Sequence, residues 1–423
     1  MKQRIVRAAA LLVCAVLLCA AANFLAFTID TPAMRQNVWQ GCLMLGEQQG
    51  TPQAVGGFLS AQMDNFTGVL ILKTAGYTGP ESLLHKAFGG LRAEMPAAPG
   101  ETGWEAFCRY GDRSPDGGLS YSRYWHGYTL PLRLLLCVLD VANLQMLLYF
   151  AQLVLMLIVL HGMGRRGLGR LIPGFFLSYF LMMPFALSVC LQYVPVSLLM
   201  LLGCVCVLRW DERIGRAVSM PAFYALLGLL TNFFDLLTFP LVSLGFPLIL
   251  ELALRMGRGE GGRRLFLHTA LCGAAWALGY GGMWALKWLL NGLVFGWGVL
   301  HGVLAQMGLR ASDNGGTLSR VAVLLQNADV MLAKKSYLLL AGLTGLATLA
   351  PLAQAVLRGR RVRMDARAAV LLLPAAAAFL WMLVMANHVS DHTYFTYRTL
   401  TVAVFAGFAC LACLFAPKAG DAP

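Results

Sequence analysis

The sequence predicts an all-α, polytopic membrane protein with about ten transmembrane helices and a large helical first external loop. Hydrophobic residues make up 58% of the 423 residues and charged residues only 13%. A soluble globular protein carries about 45–50% apolar and about 25% charged residues. The apolar residues fall into long runs, and basic residues gather in the stretches between them. This pattern excludes a soluble multidomain protein, a disordered chain, a collagen and a secreted disulfide scaffold.

The first apolar run, 5–27, follows a basic start and is long enough to cross a bilayer, which takes about 20 apolar residues. Small residues at 20–22 leave a cleaved signal peptide as the alternative. Because many further apolar runs follow, we expect an uncleaved anchor.

Nine further runs complete the predicted set. They lie at 141–161, 171–190, 194–209, 218–234, 239–255, 265–286, 336–357, 367–386 and 399–416. Several are short or contain proline, and broken helices are tolerated in a membrane only where protein or water satisfies the freed backbone groups.

These runs divide the chain into five parts. The divisions are a first transmembrane helix (1–27), an external loop with membrane-surface helices (28–128), transmembrane helices 2–7 (129–286), a second external segment (287–335), and transmembrane helices 8–10 with a short cytoplasmic tail (336–423).

The net charge of +13 has a topological explanation. Nineteen of the 33 lysines and arginines lie in the amino terminus, the alternate short loops and the carboxyl-terminal tail. Short basic loops mark the cytoplasmic side. We therefore expect a multi-pass protein of the cell membrane with both termini in the cytoplasm, and no binding of nucleic acid.

The 28–128 loop reads as a helical cap on the outer membrane surface. Thr31 and Pro32 favour a helix start. Apolar residues at three- and four-residue spacing follow, which suits a helix lying on the membrane. Further helical pieces are predicted at 64–77 and 80–88, and 96–115 reads as loop. Cys42 and Cys108 are the two cysteines of this loop, and whether they pair is left open.

Two acids are candidate catalytic residues. Asp30 follows the first run directly and could serve as a general base, or it could cap the following turn. Asp235 interrupts a hydrophobic hairpin, where an acid is costly and usually faces a cavity or a partner. Its alternative role is capping the next helix. Arg35, in the same loop as Asp30, is a candidate for substrate binding.

A dense aromatic segment precedes the second apolar run. Arg123, Tyr124, Trp125 and His126 lie within it and are candidates for substrate binding. An arginine can grip phosphate oxygens, and aromatic faces can stack on sugar rings. The alternative is an interfacial aromatic belt.

His388, His392 and Arg398 lie at the outer ends of the last two runs and are also candidates for substrate binding. The two histidines share a helix face. The string around them is similar to an inverted zinc-protease motif, but that motif needs a glutamate. Arg398 could bind phosphate or extend to the interface as an anchor. The Walker A pattern, the dinucleotide glycine fingerprint, the nucleophile elbow and paired CxxC sites are absent.

The arrangement as a whole resembles the GT-C superfamily of membrane glycosyltransferases. Asp30 after the first run, a large external loop, about ten runs and a second external segment carry the resemblance. The Tyr-Trp-His-Gly-Tyr string at 124–128 also resembles uncharacterised polytopic proteins of Gram-positive bacteria. No Asp-x-Asp or Glu-Asp pair stands beside Asp30. Dependence on a divalent metal ion therefore stays open, and no cofactor is certain.

The resemblance implies extracytoplasmic transfer of a sugar from a polyprenyl phosphate to a cell-envelope acceptor. The implied partners are the lipid-linked sugar donor and membrane lipid. Asp30 would be the base, and Arg123 or Arg398 would hold the phosphate. The aromatic residues would stack on a sugar, with the other candidates in supporting roles. A flippase or transporter of lipid-linked sugar and a non-catalytic partner in envelope assembly remain alternatives, and the sequence names no protein partner.

Overall fold

The computed structural model describes residues 2–113, 117–358 and 362–417. They are predominantly helical. The predicted cytoplasmic tail beyond 417, with Lys418, lies outside the described residues, as do Arg360 and Arg361 of the last basic loop and Asp116 of the external loop.

Six helices build the first third of the chain. They are α1 (Lys2–Ala26), α2 (Pro32–Glu47), α3 (Asn65–Gly76), α4 (Leu83–Gly89), α5 (Gly103–Cys108) and α6 (Thr129–Leu136). The Thr31 side chain accepts a hydrogen bond from the backbone N–H of Met34, and Pro32 begins α2, as the sequence predicts. The 96–115 segment is not all loop. Thr102 and Glu105 form a reciprocal capping box that starts α5.

The remaining helices form the bundle and the connections at its two ends. They are α7 (Val141–Arg165), α8 (Ile172–Leu181), α9 (Pro184–Val189), α10 (Val194–Ala217), α11 (Met220–Phe234), α12 (Leu241–Gly257), α13 (Gly262–Phe295), α14 (Gly298–Ala311), α15 (Arg320–Leu332), α16 (Lys335–Leu357), α17 (Leu373–Val384), α18 (Ala386–Asp391), α19 (Thr393–Thr396) and α20 (Thr401–Leu414). Short 3₁₀ turns lie at Leu59–Ala61, Gly169–Leu171, Ala366–Leu372 and Tyr397–Leu400.

Within the described residues, six helical segments are long and apolar enough to cross a membrane. They are Lys2–Ala26, Val141–Arg165, Val194–Ala217, Lys335–Leu357, Ala366–Val384 and Thr393–Leu414. These segments indicate a multi-pass membrane protein. The total of about ten crossings stays a prediction.

The other four predicted crossings take different forms. The 171–190 run is broken into α8 and α9, because Met183 adopts a left-handed backbone (φ 58°) and Pro184 starts a new helix. The runs 218–234 and 239–255 correspond to α11 and α12, of 15 and 17 residues. The last, 265–286, is part of the 34-residue α13.

The basic loops contact one another at one end of the bundle. At this end Arg166 lies 2.9 Å from Asp211, Arg258 pairs with the same carboxylate, and Arg367 donates to the carbonyl of Glu260. The short antiparallel strands β1 (Val362–Met364) and β2 (Phe415–Pro417) also join loops of this end. We call it the basic end. Helix α12, buried along almost its whole length, leads from it to the opposite end.

Candidate functional site

A tight turn between α11 and α12 holds Asp235. Its carboxylate oxygens accept hydrogen bonds from the backbone N–H of Thr238 at 3.0 and 3.1 Å, and one accepts from the Thr238 hydroxyl at 2.6 Å. Leu237 has φ 64°, a left-handed conformation that a bulky residue rarely adopts. Such strain persists only where the surroundings enforce it, and it is frequent at functional sites.

His388 on α18 contacts this turn. Its Nε2 lies 2.7 Å from the carbonyl oxygen of Leu237, and its Nδ1 lies 3.0 Å from Nη1 of Arg310. The guanidinium can only donate, so Nδ1 accepts and Nε2 carries the proton given to Leu237. Arg310 also donates to Nε2 of His392 at 2.9 Å.

Both imidazoles are neutral at physiological pH. Burial and the neighbouring charge of Arg310 lower the pKa of His392 to about 4. Burial, His392 and Arg310 hold the pKa of His388 well below its usual range. The histidines therefore position Arg310 without neutralising it, and within the described residues no carboxylate lies within 4.0 Å of its nitrogens. We call Asp235, Arg310, His388 and His392 the outer polar cluster, because the sequence predicts that this end faces outward.

The aromatic segment packs beside this cluster. The backbone N–H of Gly127 donates to the carbonyl of Phe233 at 3.0 Å, at the end of α11. His126 has φ 56°, a second left-handed residue. Its Nε2 donates to the carbonyl of Tyr121, and its Nδ1 accepts from the Tyr128 hydroxyl, each at 2.7 Å. Burial lowers the pKa of His126 to about 3, so this ring is neutral.

The three candidates before His126 differ in their surroundings. Tyr124 is buried, and burial together with Tyr121 raises its pKa, with smaller effects from the charges of Arg310 and Asp235. Tyr124 is therefore near enough to the outer polar cluster for two of its charges to act on the Tyr124 hydroxyl. Trp125 is 1% exposed and packs against Phe88 and Phe233. Its surroundings are those of a packing residue.

The guanidinium of Arg123 lies 5.0 Å from the ring centroid of Tyr121. It is half-buried. None of the described hydrogen bonds and ion pairs uses the N–H groups of Arg123, so this guanidinium is available to bind a ligand.

Arg398 is fully buried and its donors point to backbone carbonyls. Its guanidinium donates to Met182 at 2.8 Å, Tyr394 at 2.9 Å and Ser60 at 3.1 Å. It also lies over the Tyr193 ring. Through Ser60, these contacts join the 28–128 segment to the bundle, and Arg398 has the environment of a structural residue.

Asp30 and Arg35 pair with each other and are both partly exposed. Beside them, Arg133 of α6 donates to the carbonyl of Ile29 at 2.7 Å. Pro131 and Leu135 lie two positions from Arg133, roughly 200° around the helix, and line an apolar cavity. Asp30 therefore lies on the opposite face of α6 from this cavity and does not line it.

The apolar cavity has a volume of about 240 Å³ and is bounded by α3, α6, α7 and α10. Two of its lining residues connect it to the polar groups. Phe234 precedes Asp235 in the chain, and Tyr128 donates to His126. The apolar cavity therefore reaches the residue that precedes the strained turn, while the four residues of the outer polar cluster do not line it.

Sequence reasoning missed Arg310. It is a lone cation in the 287–335 segment, with no local motif, and its partners lie 78 and 82 residues later in the chain. Leu237 was also missed, because a left-handed leucine has no composition signal. The alternative predicted for Asp235, capping of the next helix, is wrong in detail: Pro240 is the N-cap residue of α12 and no side chain caps it. Asp235 instead bonds to Thr238 within the turn that precedes α12.

No protein-family model, curated protein or solved structure matches this chain.

Proposed function

We propose that the protein transfers a sugar from a polyprenyl-phosphate donor to a cell-envelope acceptor outside the cytoplasm. One observation carries the proposal. A guanidinium that has no carboxylate partner among the described residues is held by two neutral histidines. One of these histidines also binds the turn of the buried Asp235, and Phe234, next to that acid, lines an apolar cavity. A lipid-linked sugar phosphate needs an apolar cavity for its tail and a cation for its phosphate.

Arg310 is the proposed phosphate ligand. Arginine offers a planar fork of donors for phosphate oxygens, and the structure records hydrogen bonds of Arg310 to the histidines through Nη1. The cation is held in place before the donor binds, so it can stabilise the negative charge that develops on the departing phosphate. Arg123 is the proposed second cation for the donor phosphate, since its side chain remains half-exposed.

Asp235 is the proposed general base, in place of Asp30. Burial raises the pKa of Asp235 to about 6, and a base works best when its pKa is near the working pH. In the proposed step, the acceptor hydroxyl loses its proton to Asp235 as its oxygen attacks the anomeric carbon. The bond from that carbon to the phosphate oxygen breaks, and its electron pair leaves with the polyprenyl phosphate beside Arg310.

Substrate entry has to move the Asp235 turn, because this carboxylate is only 2% exposed. The left-handed Leu237 gives the turn a conformation of raised energy, held by the His388 hydrogen bond. We propose that binding of the donor phosphate to Arg310 loosens this contact and exposes the base.

The test is transfer of a labelled sugar from a polyprenyl-phosphate donor by the purified protein. Arg310→Lys keeps the charge but loses the planar fork, and we expect transfer to fall about 10²-fold or more. Arg113→Lys is the matched control, since this arginine is exposed in the external loop, and it should transfer at the unaltered rate.

Two results would overturn the proposal. Equal rates for Arg310→Lys and Arg113→Lys would remove Arg310 from the reaction. Movement of intact lipid-linked sugar across vesicles, with no transfer by the unaltered protein, would favour the flippase.

A further inference from the structure

A second group of polar residues lies near the basic end, away from the outer polar cluster. Glu251 is on α12, and His268 and Cys272 are one turn apart on α13, so their side chains share one face. One potential ligand atom from each residue lies within 4.8 Å of the others. Within the described residues this is the one such group of histidine, cysteine and carboxylate side chains.

The hydrogen bonds of this group leave one oxygen unused. Oε1 of Glu251 lies 2.8 Å from Nε2 of His268 and accepts from Nε of Arg255 at 2.7 Å. The Cys272 sulfur lies 3.3 Å from the same imidazole nitrogen. Oε2 of Glu251 is buried and has no hydrogen-bond partner. The hydroxyl of Tyr224 interacts with Glu251 but does not reach hydrogen-bonding geometry.

An unpartnered carboxylate oxygen in the interior is costly, because it has lost its contact with water without gaining a hydrogen bond. A ligand bound to Oε2 of Glu251 would remove this cost. A carboxylate, an imidazole and a thiol are the ligands that Zn²⁺ combines in proteins, in sites of three protein ligands with a fourth position open.

We propose that Glu251, His268 and Cys272 bind a divalent transition metal of the Zn²⁺ class. The metal takes the Glu251 carboxylate, an imidazole nitrogen of His268 and the Cys272 sulfur, and Arg255 keeps its hydrogen bond to the carboxylate. Binding releases the thiol proton of Cys272 to solvent, and the neutral imidazole keeps one proton on its other nitrogen.

The charges of this site then cancel. The metal's two positive charges balance the carboxylate of Glu251 and the thiolate of Cys272. Arg255 is balanced by Glu260, whose carboxylate lies 2.8 Å from its guanidinium. A buried group of charges is tolerated when it is paired in this way. Without metal, the same residues are a hydrogen-bonded network of arginine, glutamate and histidine beside a thiol.

Co²⁺ distinguishes these two states. The full-length protein, purified in detergent and treated with a chelator, is titrated with Co²⁺ and then with Zn²⁺. We expect one equivalent of Co²⁺ to give a thiolate-to-cobalt charge-transfer band and the visible bands of tetrahedral cobalt. Zn²⁺ should remove both. Their absence in the unaltered protein would overturn the proposal.

Two variants locate the metal. Cys272→Ala should abolish the charge-transfer band, whereas Cys190→Ala, which removes another buried cysteine at the opposite end, should keep it. A band that survives Cys272→Ala would overturn the assignment. If Cys272→Ala does not fold, Cys272→Ser decides, because the hydroxyl is close to the thiol in size and cannot give a thiolate-to-cobalt band. A charge-transfer band that survives Cys272→Ser would reject the site.

Discussion

Nε2 of His388 lies 2.7 Å from the carbonyl oxygen of Leu237, 151 residues earlier in the chain. This bond joins α18 to a turn whose backbone is left-handed at Leu237. Arg310 donates to the other nitrogen of His388. One imidazole therefore holds in position both the guanidinium and the turn that carries Asp235. The outer polar cluster is therefore a connected unit, in which a change at His388 reaches the proposed phosphate ligand and the proposed base.

Removing this imidazole should destabilise the protein. His388→Leu leaves the buried carbonyl of Leu237 unpaired, and an unpaired buried acceptor costs about 1–3 kcal/mol. We expect the free energy of unfolding in detergent to fall by that amount, with transfer falling as well. His301→Gln, on the exposed surface of α14, is the control and should match the unaltered protein. Equal unfolding curves for the two variants would contradict the role given to His388.

The rate of transfer should depend on pH through Asp235. Its pKa is raised by burial to about 6, so the carboxylate is protonated and unable to accept a proton below that pH. We expect kcat/KM to fall about tenfold per pH unit below 6. Asp235→Asn should lower transfer by about 10²–10⁴-fold. Asp391→Asn, an exposed neighbour of His392, should keep both the rate and its pH profile.

The same pKa predicts the pH dependence of stability. The folded pKa of about 6 lies above the ordinary value of 3.8, so the folded protein binds the proton more tightly than the unfolded chain does. Lowering the pH from above 6 to about 4 should therefore add stability through Asp235. Asp235→Asn should lose this component in thermal unfolding, and an identical pH dependence in both proteins would contradict the shifted pKa.

One substitution distinguishes Asp30 from Asp235 as the general base. Asp30 is paired with Arg35 at a partly exposed position, where an ion pair contributes about 0–1 kcal/mol. We expect Asp30→Asn to keep transfer within a few-fold and to leave unfolding nearly unchanged. A loss of 10²–10⁴-fold would return the role of base to Asp30, as the family resemblance implies.

Arg133 should be one of the most sensitive positions for stability. Its guanidinium donates to the carbonyl oxygens of Ala26 at 3.1 Å and Ile29 at 2.7 Å, and also to that of Tyr77. Arg133→Met leaves these buried acceptors without a donor, so we expect a loss of about 3 kcal/mol or more in thermal unfolding. Arg113→Met, at an exposed arginine, should change stability by less than about 0.5 kcal/mol.

The orientation of the two ends can be measured with a reporter that is active only in the cytoplasm. Fusion after Gly167, at the basic end, should give activity, and fusion after Gly100, in the external loop, should give none. Gly359 would report on the last basic loop, although it lies outside the described residues. Activity at Gly100 would invert the predicted topology and place the outer polar cluster in the cytoplasm.

The sequence by itself determined the helical class and much of the local structure. Apolar runs predicted helices because backbone groups in an apolar environment must be bonded within the segment, and six of the runs are long apolar helices in the structure. The start of α2 at Thr31 and Pro32 is also local chemistry, since a side-chain cap and a fixed φ act on adjacent residues. Candidates such as His388 and Asp235 could be chosen because polar groups are rare in such a sequence.

Only the tertiary structure decided which of those candidates meet. Arg310 contacts two histidines about 80 residues away, and no local pattern encodes a contact of that separation. It also decided the environment of each candidate. Arg398 and Trp125 are enclosed by packing, while Asp30 lies across α6 from the apolar cavity. Burial and pairing depend on how helices stack, which is set by side-chain complementarity over the whole bundle rather than by neighbours in the chain.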